Sequence, residues 1–523
     1  MNNKIYIKLA ISISFAFAFL FFTLIHPIYL FDTDDWGNMA LSRPLYPSLQ
    51  TYNPSKVLPE VLIPLISLVS VKLLYPFTND YTFSSSTGLT LCYILFIFTY
   101  IFAIFKFIKY NLLSFTNSDD INSPKLSVFA SFFLILIVFF HFSSIQSDQY
   151  LFYEVNATCI YHYTIPTILN ISLLLFFVCK YDFFRNFLEI DSYLKKFLIC
   201  FLIYMSIFSN LLVNTHLFFF AIISLTNNLI VKFKNNQTIN IFNTIQKEFL
   251  SFYILILFCC AAFFEANGLR ANSVGSSHIF NLDNIVNSLA TFFSQTLFLP
   301  EIKLTVFLTS VILFANLIAI FYFFRKQNTE CRSKAICLLK KESLLFTILF
   351  CIILWQICIT VKTGVAYQFR MSAVLSWYSI LLLIFILTVV YLFSLSNKIL
   401  YVLLLLVVVL FYSQLLCTRP YKEINFVPYT QVHSIELFTN SLVEEIVAAD
   451  KNGVSSLEIH VPLFKSSSAD NFPFAVYADD AIVLCLLRQG LIKNRIKIKI
   501  VPDANVNKKF SIPVEYNAPY VNL

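Results

Sequence analysis

The chain has 523 residues, 58% hydrophobic and 13% charged, with 60 Phe against only 7 Gly. A mean hydropathy of +0.75 excludes a soluble globular or disordered protein and reads as a polytopic membrane protein. The net charge of +8 then speaks of membrane sidedness rather than nucleic acid, and the 12 cysteines, mostly inside apolar runs, imply no disulfide framework.

Runs of about 17 to 25 apolar residues predict about eleven spans, at 9–30, 88–108, 126–144, 163–180, 197–212, 214–231, 248–264, 304–324, 343–361, 372–396 and 399–417. The first is longer than a signal-peptide core and carries its Ala-x-Ala pattern, Ala16 to Ala18, in mid-run, so it reads as a retained anchor. Basic clusters such as Lys195 and Lys196, Lys232 and Lys234, and Lys340 and Lys341 fall in alternate connections. The opposite connections hold isolated cations: Arg43, Lys56, Lys72, Arg270, Lys303, Lys362 and Arg370. The positive-inside rule therefore predicts a cytoplasmic N-terminus.

Residues 57–75 are apolar enough to span, but counting them would invert every later connection. Together with Pro54, Pro59, Pro64, Glu60 and Lys72, this predicts that 54–76 lies along the outer face as an amphipathic or re-entrant helix. The first outer loop, 31–87, is then long and partly helical. Residues 1–417 form the expected transmembrane module, and 418–523 a small extracytoplasmic α/β domain. That domain is predicted as a helix over 434–450 with Ser434 at its cap, a strand at 456–463, a helix at 477–491 and a strand at 495–501.

The residues able to carry chemistry gather at the outer face. Asp32, Asp34, Asp35 and Trp36 close the first span. Asn156, Tyr161, His162 and His216 follow, then Glu265, Asn267 and Arg270, then Lys362 and Arg370. Carboxylates that accept a hydroxyl proton, aromatics that stack on a sugar and cations that neutralise a phosphate together suit glycosyl transfer from a lipid-linked phosphosugar. In this reading Asp34, Asp35 or Asp32 is the base, and Arg270, Arg370 and Lys362 hold the donor phosphate. Trp36, Asn156, Tyr161, His162, His216, Glu265 and Asn267 line the substrate site. Each has a structural alternative: helix capping for the aspartates, interfacial anchoring for the arginines, buried hydrogen bonding for the histidines. His162 and His216 lack a second ligand at metal spacing, so no metal site is predicted and the cofactor stays unassigned.

Three segments together resemble bacterial membrane glycosyltransferases of the GT-C superfamily, the serotype-converting O-antigen glucosyltransferases in particular. They are Asp34-Asp35-Trp36, the run from Asn156 to Pro166, and Ala266-Asn267-Gly268-Leu269-Arg270. The resemblance implies an all-α polytopic fold with outer-face amphipathic helices, in the inner membrane. It also implies a catalytic Asp in the first outer loop, at Asp34 or Asp35, and an undecaprenyl-phosphate-linked sugar as donor. The acceptor would be a surface polysaccharide or lipid-linked glycan of the lipopolysaccharide kind, and the expected partners are these glycans and membrane lipid, with no nucleic acid. The chain departs from the usual motifs at Val155-Asn156-Ala157 and Glu265-Ala266-Asn267. A polysaccharide polymerase is the alternative enzyme and a lipid-glycan flippase the alternative without chemistry. The near absence of mid-span charges and of repeats speaks against transport.

Overall fold

The computed structural model describes residues 4–30, 32–41, 43–116, 123–142, 144–146, 149–154, 156–235, 241–274, 282–293, 309–318, 321, 329–363, 367–368, 370–395, 429–464, 471 and 473–514. The protein is mostly helical. Eight helices among the described residues are long and apolar enough to cross a membrane.

Helix α1 (Lys4–Leu20) continues through a π turn at Phe21–Ile25 and is followed by the short α2 (Thr33–Ala40). Helices α3 (Val57–Thr78) and α4 (Tyr81–Thr116) form a hairpin turned by Asn79, whose φ of 51° is left-handed, a conformation Asn tolerates. The pair approaches closely because Gly88 has no side chain: a Cβ there would fall 2.4 Å from Ser70 Cβ. Helix α5 (Pro124–His141) packs on α1, and α6 (Ala157–Cys179) packs on α4. Next come α7 (Tyr193–Ile207), α8 (His216–Lys234), α9 (Phe249–Asn267), the short α10 (Leu269–Val274), α11 (Thr329–Thr363) and α12 (Met371–Ser394). Every residue of α12 is buried, so it is the central post of the bundle.

Several expectations are revised. The predicted span 197–212 is the 15-residue α7, which stops at Ile207. Beyond it Asn210 and Asn214 turn inward: Asn210 Nδ2 donates to the His162 carbonyl at 2.7 Å, and Asn214 Nδ2 to those of Ser206 and Ile207. These buried amide donors, paired with main-chain carbonyls, stand where the helix gives way to a turn. The predicted span 126–144 is likewise a shorter apolar helix, over Lys125–His141. Of the predicted span 304–324 the described part is helical over Thr309–Ile318, and 399–417 lies outside the described residues.

Segment 54–76 corresponds to α3, itself long and apolar enough to cross. It packs along α4, and its first half also makes bonds to other parts of the chain. Leu58 N donates to the Phe208 carbonyl at 3.0 Å, Glu60 pairs with Arg43 at 2.8 Å, and Ser67 Oγ accepts from Gln489 Nε2 at 2.7 Å. Leu65, Val69, Leu73 and Phe77, four residues apart and exposed, make an apolar stripe along its other face.

The C-terminal unit has helix α13 (Tyr429–Lys451), strand β1 (Ser456–Pro462), helix α14 (Asp479–Gln489), strand β2 (Lys497–Asp503) and helix α15 (Ala504–Phe510). The strands pair in parallel, Ser456 opposite Lys497, so the connection between them crosses over through α14, as parallel pairing requires. Helix α13 begins five residues before the expected cap, leaving Ser434 inside it, and stops near Gly453, whose φ is 69°. This unit packs on the bundle. Trp36 stacks on Tyr81 with centroids 5.4 Å apart, and the Tyr81 hydroxyl meets Cys485 Sγ at 3.6 Å. Asn440 bridges to Asp80 and Thr82 at the start of α4.

Candidate active site

Helix α2 is short, so its side chains are fixed by what they touch. Asp32 is its N-cap, accepting from the amides of Asp34 at 3.0 Å and Asp35 at 3.3 Å, and Asp35 reaches back to the Asp32 amide to complete a capping box. Both acids also bind the start of α6. Asn156 Nδ2 donates to Asp32, and Thr158 donates to Asp35 Oδ1 through its amide and hydroxyl, each at 2.8 Å. At helical spacing, 32 and 35 share one face and 33 and 36 another, which leaves 34 and 38 on a third.

Asp34 differs from its neighbours. Its side chain is exposed, and among the described residues its carboxylate receives no hydrogen bond and forms no ion pair. Desolvation in this recess raises its pKa, opposed in decreasing order by the charges of Arg370, Arg270 and Lys56. These cations come from three distant parts of the chain and meet at one ring. Arg370 lies over Tyr163 with its guanidinium carbon 4.4 Å from the centroid, Lys56 Nζ is 5.3 Å from it, and the charge of Arg270 is coupled to the Tyr163 hydroxyl. Arg370 is also 4.9 Å from the Tyr367 ring and donates to Cys159 Sγ at 3.8 Å. Arg270 donates to Asn53 Oδ1 at 3.1 Å, and Glu265 accepts from the Ser55 hydroxyl.

The turn carrying Lys56 is braced from two sides. Arg43 donates to the carbonyls of Asn53 and Pro54 at 2.8 and 2.9 Å. Gly268 lets the turn sit against the end of α9, since a Cβ there would fall 2.2 Å from Pro54.

The structure thus brings Asp34, Arg270, Arg370 and Glu265 together. His162 joins their edge, its Nε2 3.2 Å from Asn38 Oδ1. Asp32, Asp35 and Asn156 are spent on holding α2 to α6. Trp36 is buried against Tyr81, and Tyr161 is buried, donating to the Leu89 carbonyl at 2.8 Å. His216 is inside the bundle, 2.7 Å from the Ser376 carbonyl. Exposed Asn267 donates to the Phe263 carbonyl of its own helix at 2.8 Å. In each of these seven a polar group or ring is already engaged by the fold rather than turned to the cluster. The Lys362 side chain lies outside the described part. Among the described residues no group of three His, Cys, Asp or Glu could hold a metal.

Lys56, Arg43 and Tyr163 were not predicted to belong to the site. A signal was available for two of them, since Lys56 and Arg43 share with Arg270 and Arg370 the rarity of cations in the connections predicted to be outside. Burial, then repulsion from Arg270, lowers the Lys56 ammonium to about 7 from an ordinary 10.5. An anion held by the cluster should therefore bind more weakly as pH rises through about 7. Stability should move oppositely: between about 7 and 10.5 the unfolded chain binds the extra proton, so unfolding becomes harder as pH rises. Thermal unfolding and anion affinity measured from pH 6 to 9 check both slopes. Lys56→Arg, which stays charged, should flatten them; identical slopes in that variant would remove Lys56 from the site.

An acid open to solvent, faced by cations whose spacing is set by an aromatic ring, can take a proton from a hydroxyl while an anion departs beside it. Comparison of the chain with protein-family models, with curated proteins and with solved structures finds no match.

Proposed function

We propose that the protein is a glycosyltransferase moving a sugar from a polyprenyl-phosphate-linked donor onto a surface polysaccharide at the outer face of a bacterial inner membrane. The observation that carries this reading is Asp34, whose carboxylate receives no hydrogen bond among the described residues and is set in the field of Arg370, Arg270 and Lys56. In the reaction the acceptor oxygen bonds to the anomeric carbon while the bond from that carbon to the phosphate oxygen breaks. The hydroxyl proton passes to Asp34, and the electron pair leaves with the phosphate, whose charge the cations stabilise. The N-terminus is cytoplasmic in this reading, and α2 and the C-terminal unit are outside, consistent with the basic clusters near 195, 232 and 340 on the opposite side.

The test is mass spectrometry of surface polysaccharide from cells with and without the chain. Transfer predicts an added hexose per repeating unit at unchanged chain length. A change in chain length alone would favour the polymerase, and accumulation of unmodified lipid-linked glycan inside the cell would favour transport.

A further inference from the structure

Helix α2 is held on two sides, and the second side has no part in the chemistry just described. Opposite the α6 latch, Thr33 is clipped into the C-terminal unit. Its amide donates to the Pro473 carbonyl at 2.9 Å, its hydroxyl donates to the same carbonyl at 2.8 Å, and the hydroxyl accepts from the Ala475 amide at 2.9 Å. Thr33 is buried and both capacities of its hydroxyl are used. At the other end of α2, Arg488 Nη1 donates to the Leu41 carbonyl at 2.6 Å.

Beside Pro473 and Ala475, Asn471 is held by its own bonds. Asn471 has a left-handed φ of 58°. Its side chain accepts from the Phe464 amide at 2.8 Å and donates to the carbonyls of Pro462 and Phe474, each at 3.0 Å. An unfavourable backbone conformation persists where surrounding bonds over-determine it. Here they aim the Pro473 carbonyl and the Ala475 amide at one residue of α2.

We infer that the C-terminal unit is a clamp for the catalytic helix and that Thr33 is its positioning residue: with 32 and 35 tied to α6 and 33 tied to Pro473 and Ala475, Asp34 is aimed at the cations. This rests on the function proposed above for its catalytic consequence, while the clamp itself is independent of it. An eight-residue helix has little intrinsic stability, so its orientation depends on such ties.

The experiment uses the full chain in membranes, with its native cysteines replaced and a reporter at Met39→Cys. Met39 lies on α2 and is 1% exposed, so a maleimide should label it slowly while α2 is docked. Thr33→Val keeps the branched shape and removes both hydroxyl bonds. Labelling should rise at least about tenfold and hexose addition fall by a similar factor, with both restored in Thr33→Ser. Wild-type labelling in Thr33→Val overturns the clamp, whether or not transfer falls. If Thr33→Val does not accumulate, the pair Thr33→Cys with Ala475→Cys decides: a disulfide formed under mild oxidation supports the contact, and its absence overturns it. Asp34→Asn, which touches no clamp bond, separates the two readings. Faster labelling in Thr33→Val beside full transfer in Asp34→Asn would sink the proposed chemistry and leave the clamp standing.

Discussion

Replacing Asp34 by Asn is expected to lower sugar transfer by about 100-fold or more with the protein inserted and folded as before. The side chain keeps its size and loses the capacity to take a proton. Because the Asp34 carboxylate makes no hydrogen bond among the described residues, the fold has nothing to lose. The neighbouring aspartates should behave differently under the same substitution. Asp32→Asn keeps the capping oxygen, since Asn caps nearly as well, but presents an amide to Asn156, costing about 1 kcal/mol of stability. Asp35→Asn weakens two charge-assisted bonds from Thr158, costing about 1–3 kcal/mol. Polysaccharide mass spectrometry, read beside thermal unfolding of each variant in detergent, separates the three. Wild-type modification by Asp34→Asn would eliminate it as the base.

Much of this site was legible because a membrane reduces three dimensions to a level. Asp34, Arg270 and Arg370 are far apart in sequence, yet hydropathy and the charge bias set all three at one face, and the structure brings them into one electrostatic group. Azimuth was not legible. His216 and Tyr161 stand at the same predicted level as the arginines, but His216 turns toward Ser376 and Tyr161 toward Leu89. The choice among the aspartates was hidden too, because it depends on which of them Asn156 and Thr158 reach from another helix. Within the fold, the C-terminal α/β order was readable from alternation and turn residues. The end of α7 was not, since Asn210 and Asn214 break an apolar run only by finding buried carbonyls. Helix α3 shows the same limit: its composition permits a span, while its contacts with Phe208, Arg43 and Gln489 are tertiary facts.

The second large effect is expected at the cations, and it separates shape from charge. Arg370 lies over both Tyr163 and Tyr367, 4.4 and 4.9 Å from their centroids, and two aromatic contacts hold a guanidinium, and the fork it can offer an anion, better than an ammonium. Arg370→Lys keeps the charge and loses the fork, so the specificity constant for the donor should fall by the equivalent of about 1–3 kcal/mol. Arg270→Lys should cost a similar or smaller amount, since its own anchor is a hydrogen bond to Asn53 rather than two rings. Neither Lys variant should move the pH at which activity is lost on acidification, because the field at Asp34 is kept. Arg370→Met should move it. Arg370 is the largest of the charges opposing the desolvation of Asp34, so without it the carboxyl is protonated at higher pH. A base must be ionised to act, and the acid limb of the rate profile should therefore shift upward. Full donor turnover in both Lys variants, with an unshifted acid limb in Arg370→Met, would assign these arginines to anchoring at the membrane interface instead.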